Sequence, residues 1–148
     1  MVKNVIIILF FIFLTLSFVS SNKEKEGFVL IKHQNAVLLA KVAKTNDERI
    51  RGLSGRESLE NNEALLFVFD KEDNYGIWMK DMNFSIDIAW LDKNKKIIYI
   101  ENNVSPETFP KTFYPTNNEF DSKTLYVLET NANFFLENNI KVGDFLNF

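Results

Sequence analysis

Leu65-Leu66-Phe67-Val68-Phe69 is an unbroken apolar run of strand length, and its reading decides the fold. A strand that alternates apolar and polar residues hides one face, whereas a continuous run hides both. This segment therefore belongs at the centre of the core. Outward from it, the periodicity on either side is mostly that of strands. Short β segments are expected at Phe28 to Lys32 and Ala36 to Ala43 before it, and at Tyr75 to Lys80, Ile86 to Asp92, Lys96 to Ile100, Leu125 to Glu129 and Lys141 to Phe148 after it. Asp92-Lys93-Asn94-Lys95 is a turn that makes a hairpin of the strands beside it. Two short helices interrupt the pattern. Thr45-Asn46-Asp47-Glu48 is a capping box opening a helix that ends at Gly52, and Asn131 to Asn138 reads as a helix with an Asn cap. The expectation is a mainly β, single-domain sandwich or partly closed barrel with one or two short helices.

A chain of 148 residues holds one domain and a terminal extension. Its 15 Phe point to an aromatic-rich core or an apolar pocket. The net charge of −3, with Lys and Arg scattered among acids, sets up no field for polyphosphate and argues against nucleic acid as a partner. Having no cysteine excludes disulfides, thiolate metal sites and a Cys nucleophile. The one histidine, His33, reads as a surface or strand-end residue, so neither a His-based zinc site nor a Ser-His-Asp triad is expected. Neither metal nor cofactor is expected. Gly52-Leu53-Ser54-Gly55 is no nucleophile elbow, and no phosphate-binding loop occurs.

The N-terminus reads as an address. Lys3 precedes an apolar run from Val5 to Val19 that is short for a bilayer span, and Val19-Ser20-Ser21 offers small residues for cleavage. Residues 1–21 are thus expected to be a signal peptide, with an uncleaved anchor as the alternative. Residues 22–27 form a polar tether, and 28–148 the domain. Either way the domain is exported, periplasmic or extracellular, and meets a membrane only through its N-terminal segment.

Alternation puts Asp87 on a face with Ala89 and Leu91, and Glu129 on a face with Val127 and Leu125. Carboxylates on apolar faces need partners, and Arg56 and Lys80 are the candidates. One reading is a structural ion-pair cluster. Another is that Arg56, Trp78, Lys80, Asp87 and Glu129 together hold a small polar ligand or envelope component. A third makes Asp87 and Glu129 an acid–base pair of an envelope hydrolase, which requires the two carboxyls to stand about 5 to 9 Å apart. Trp78 and Trp90 read more simply as core aromatics. Residues 102–122 hold all three prolines with Phe109, Phe113 and Tyr114, and read as a long ordered loop that either seals the barrel end or closes over a ligand as a lid.

Several short motifs carry a family resemblance when taken in register. They are Glu48-Arg49-x-Arg51-Gly52-Leu53-Ser54-Gly55-Arg56, Leu65-Leu66-Phe67-Val68-Phe69, Trp78-Met79-Lys80, Ile86-Asp87-Ile88, Tyr126-Val127-Leu128-Glu129-x-Asn131-Ala132 and Val142-Gly143-Asp144. Over Ala36 to Phe148 the chain resembles the prokaryotic family catalogued as domain of unknown function number 192. The resemblance implies a compact, mostly β domain, and it implies no activity, cofactor or catalytic residue. The chain departs from the family pattern at Ala64-Leu65, Asp81-Met82, Ser85-Ile86-Asp87 and Asn131-Ala132-Asn133. A non-enzymatic binding or accessory module of the cell envelope is the leading expectation. The hydrolase and a purely structural interaction domain are the alternatives.

Overall fold

A computed structural model describes residues 27–34, 36–115 and 123–148. Its strands are β1 (Phe28–His33), β2 (Ala36–Ala43), β3 (Glu63–Asp73), β4 (Ile77–Trp78), β5 (Ile86–Leu91), β6 (Ile97–Val104), β7 (Thr112–Phe113) and β8 (Thr124–Asn131). Helix α1 spans Asn46–Arg51, helix α2 spans Phe134–Glu137, and Pro106–Thr108 form a 3-10 turn. The domain is mainly β, as the periodicity implies. Six strands make one mixed sheet in the order β1-β2-β3-β8-β5-β6, and β4 pairs with β7 as a separate ribbon. β2 and β3 are parallel, so the chain must cross over between them, and α1 lies in that crossover.

The apolar run sits at the centre of the sheet and is buried on both faces. Ala64 and Leu66 join Ile31, Leu38, Ala89, Leu91, Leu128 and Phe135 on one side. Leu65 and Phe67 join Ile77, Met79, Ile88, Trp90, Phe113 and Val127 on the other. Trp90 is fully buried, and its indole Nε1 donates to the Tyr75 carbonyl at 2.7 Å. That bond holds the carbonyl just before β4 over the second cluster.

Four expected elements differ from what forms. The strand at Tyr75 to Lys80 shrinks to Ile77–Trp78, because Met79 turns into the core and Asp81 adopts a left-handed backbone with φ 54°. Asn131 ends β8 instead of capping a helix, and its side-chain amide donates to the carbonyls of Leu59 and Glu60. Residues 102–104 extend β6, so the Pro-rich loop begins later than its composition indicates; its residues 116–122 lie outside the described set. Finally, Lys141 to Phe148 form no strand. This segment bridges Lys32 through Asn147 and Lys96 through Phe145, touching both edge strands of the sheet as a strap. His33 Nε2 stands 3.3 Å from Asp144 Oδ2 at the base of the strap.

Candidate ligand-binding groove

Local chemistry fixes α1 first. The Thr45 hydroxyl accepts from the Glu48 N–H at 3.2 Å, and Glu48 Oε2 accepts from the N–H groups of Thr45 and Lys44 at 2.9 Å each. These donors hold the Glu48 carboxyl below its ordinary range. Gly52 ends the helix at φ 51°, where its N–H returns to the Glu48 carbonyl. Ser54 Oγ then donates to the Lys80 carbonyl at 2.7 Å, and the Gly55 N–H to the Asp81 carbonyl at 2.8 Å. The helix and its exit turn are thereby tied to the segment following β4.

One wall follows from this placement. The Arg49 guanidinium donates to the carbonyls of Lys44 and Val68 and lies 5.1 Å from the centre of the Phe69 ring. Phe69 stacks on Tyr75 with 3.5 Å between centroids, and the Tyr75 hydroxyl donates to the Lys71 carbonyl at 2.9 Å. Partial burial is the main cause that raises the Tyr75 phenol above its ordinary pKa. Between Val68 and Asp73 the register of β3 against β8 shifts, and the irregular stretch turns Phe69, Asp70 and Lys71 toward the same space. Trp78 of β4, 48% exposed, lines the same space.

The result is a groove of about 460 Å³ between α1, the far half of β3 and β4, with Phe67, Ile77 and Met82 among its apolar walls. Glu129 forms part of the floor. It lies in β8 between Leu65 of β3 and Ile88 of β5, is 4% exposed, and its Oε2 has no hydrogen-bond partner among the described residues. Burial pushes the Glu129 carboxyl up to about 8.

Of the five candidate site residues, the groove gathers Trp78 and Glu129. Arg56 lies outside it, largely exposed, 3.8 Å from Glu63. Lys80 is exposed and contributes its backbone carbonyl to Ser54. Asp87 is on the other face of the sheet, because Ile88 pairs with Glu129 and neighbours along a strand point oppositely. The expected charged cluster of Arg56, Lys80, Asp87 and Glu129 is therefore not assembled, and no acid–base pair of Asp87 and Glu129 can flank one bond. Asp87 is fully buried and accepts from three backbone N–H groups, those of Asn103, Asn133 and Phe135 at 2.7 to 3.2 Å. It caps α2 from a neighbouring strand, the role the sequence pattern assigned to Asn131.

In the Pro-rich loop, Phe113 is buried and pairs with Ile77, so it seals the core beneath the groove. Phe109 and Tyr114 are exposed. A Cβ on Gly76 would come within 2.6 Å of both Thr112 and Tyr114, so the loop is seated tightly on the groove's edge. Sequence reading missed Arg49, Arg51, Phe69 and Tyr75. The motif Glu48-Arg49-x-Arg51-Gly52 held the signal for the first two, since a capped helix that short presents its basic residues beside the strand it precedes. Among the described residues no three acids or histidines gather as metal ligands, and no helix is long and apolar enough to cross a membrane. The expected signal peptide at 1–21 lies outside the described residues.

Comparisons with known proteins extend the picture. The sequence model of a family designated DUF192 and described as "Uncharacterized ACR" matches residues 29–148. A structure of a protein of unknown function from Novosphingobium aromaticivorans DSM 12444 is similar with TM-score 0.73 and 23% identity, over 82% of this chain and 85% of that one. A structure from Sinorhizobium meliloti 1021, described as a candidate transcription regulator, is similar with TM-score 0.68 and 23% identity, over 75% of this chain and 81% of that one. At such identity these likenesses establish the fold alone. No curated protein matches the chain.

Proposed function

The chain belongs to the DUF192 family, and we propose that it is an exported, non-enzymatic module that binds a small ligand in the groove above Glu129. One observation carries this reading. A carboxyl that is almost fully buried, with one oxygen lacking any partner among the described residues, lines a concave site walled by aromatic rings, and buried polar groups are seldom left unpaired without a purpose. The volume lies within the roughly 300 to 1,000 Å³ common for small-molecule sites. A hydrolase has less support, because the two acids it would need face opposite ways. Export is supported by the charged start and apolar run of residues 1–21.

Trp78 supplies the readout. Titrating aromatic amides, amines and acids of fragment size should change tryptophan fluorescence, and Trp78→Ala should remove that response while leaving the unfolding free energy within about 0.5 kcal/mol of the wild type. A panel that leaves the fluorescence and the amide NMR signals of the groove residues unmoved would sink the binding reading. N-terminal sequencing of the mature protein tests export separately. A start at Asn22 is expected, and recovery of the chain from the cytoplasm with residues 1–21 intact would contradict it.

A further inference from the structure

We infer that Glu129 meets the ligand as an uncharged carboxyl, so that the groove selects molecules with a carboxamide-like edge, an N–H beside a C=O, over molecules with an ammonium group. This rests on the groove being a binding site. Glu129 is flanked across the sheet by Leu65 and Ile88, with Val127 two residues along its own strand on the same face. A carboxylate in such surroundings would be a buried ion without a counter-charge, which is strongly unfavourable.

Among the described residues, the charged and titratable groups nearby do not supply one. Arg49 of α1 is spent on two backbone carbonyls and the Phe69 face. Arg51 of α1 and Asp70 of β3 are exposed. Lys71 of β3 stands 3.6 Å from Asp73, and the Tyr75 hydroxyl is bonded to the Lys71 carbonyl. Glu63, on the Leu65 face of β3, is paired with Arg56. β5 presents Ile86, Ile88 and Trp90 on this face, and β4 contributes Ile77 and Trp78.

A neutral carboxyl carries a hydroxyl donor and a carbonyl acceptor side by side. A carboxamide or lactam edge carries the same two functions in the reverse order, so the two can form a pair of parallel hydrogen bonds. An ammonium offers donors only and would require the carboxylate to be ionised inside its apolar flank. The aromatic walls at Phe67, Tyr75 and Trp78 suit a planar body attached to such an edge.

Benzamide and benzylamine share a ring and differ in the group offered to Glu129, so they serve as probes. With the full chain, NMR titration from pH 6 to pH 10 should show benzamide binding with constant affinity up to about pH 8 and losing about tenfold per unit beyond it. Glu129→Leu should weaken benzamide at pH 7 by about tenfold or more. Glu129→Gln, whose amide also pairs a donor with an acceptor, should restore most of that loss and abolish the decline at high pH. The inference is overturned if benzylamine binds more tightly, gains affinity between pH 6 and pH 8 and is lost in Glu129→Gln; the groove would then remain a binding site for a cation. If benzamide binds but is indifferent to Glu129→Leu, the inference falls while the groove reading stands, and if neither probe binds both fall.

Discussion

Beneath α2 a single carboxylate does the work that helix caps usually share. Asp87 accepts from the N–H groups of Asn133 and Phe135 and reaches a third donor at Asn103, on the β6 side. Asn133, at the formal cap position, has φ 69° and makes no side-chain cap bond. Replacing Asp87 with Ala strands those donors in a buried place and should lower stability by about 3 kcal/mol in denaturant unfolding. Asp87→Asn, which keeps an acceptor oxygen, should lose less. Fluorescence titration of the groove in Asp87→Asn should match the wild type, since the residue is on the far face. A large change in binding at unchanged stability would mean that the two faces are coupled. Alternation showed that Asp87 and Glu129 both lie on buried faces. It could not show that the faces are opposite, because that depends on which residues of β5 and β8 are paired.

At the level of elements, local chemistry was the most legible. The capping box of α1 and the limits of β2 follow directly from residue types and spacing. The failures have a common cause. Lys141 to Phe148 has strand-like composition, but its hydrogen bonds are divided between β1 and the start of β6, so no continuous ladder forms. Such a division is invisible until the sheet's edges are known. The strap has thermodynamic weight nonetheless: Leu146 is buried in the first cluster, Asn147 exchanges two backbone bonds with Lys32, and Lys95 donates to the Phe148 carbonyl and sits 4.3 Å from its ring. Deleting Phe145 to Phe148 should cost about 3 kcal/mol or more, judged from the loss of one core leucine alone. It should also expose the edge of β1 and promote self-association, visible by size-exclusion chromatography. A shortened chain that stayed monomeric with an unchanged unfolding midpoint would show the strap to be dispensable.

For the whole molecule, Glu129 makes stability depend on pH in a definite direction. Below its ordinary value of 4.5 both the folded and the unfolded protein hold the proton, and the residue adds no pH dependence. Between 4.5 and about 8 the unfolded chain releases it while the folded protein keeps it, so stability falls as pH rises. Above that range the loss is complete, and it amounts to a few kcal/mol. Glu129→Gln should therefore match the wild type near pH 4 and exceed it near pH 9 in chemical unfolding. Parallel pH profiles for the two proteins would mean that the carboxyl is solvated in solution. The groove itself was only partly legible in the sequence, because its walls come from segments far apart: α1, the irregular half of β3, β4 and β8. Trp78 and Glu129 stood out as types, whereas Phe69 and Tyr75 gained meaning only once stacked. The order of assembly has a further consequence. β8 joins β3 to β5 at the middle of the sheet, and it and the strap follow every other strand in the sequence. During synthesis the two halves of the sheet must wait, unjoined, for a piece that emerges late from the ribosome. The sheet closes into one only once β8 is free to dock between β3 and β5.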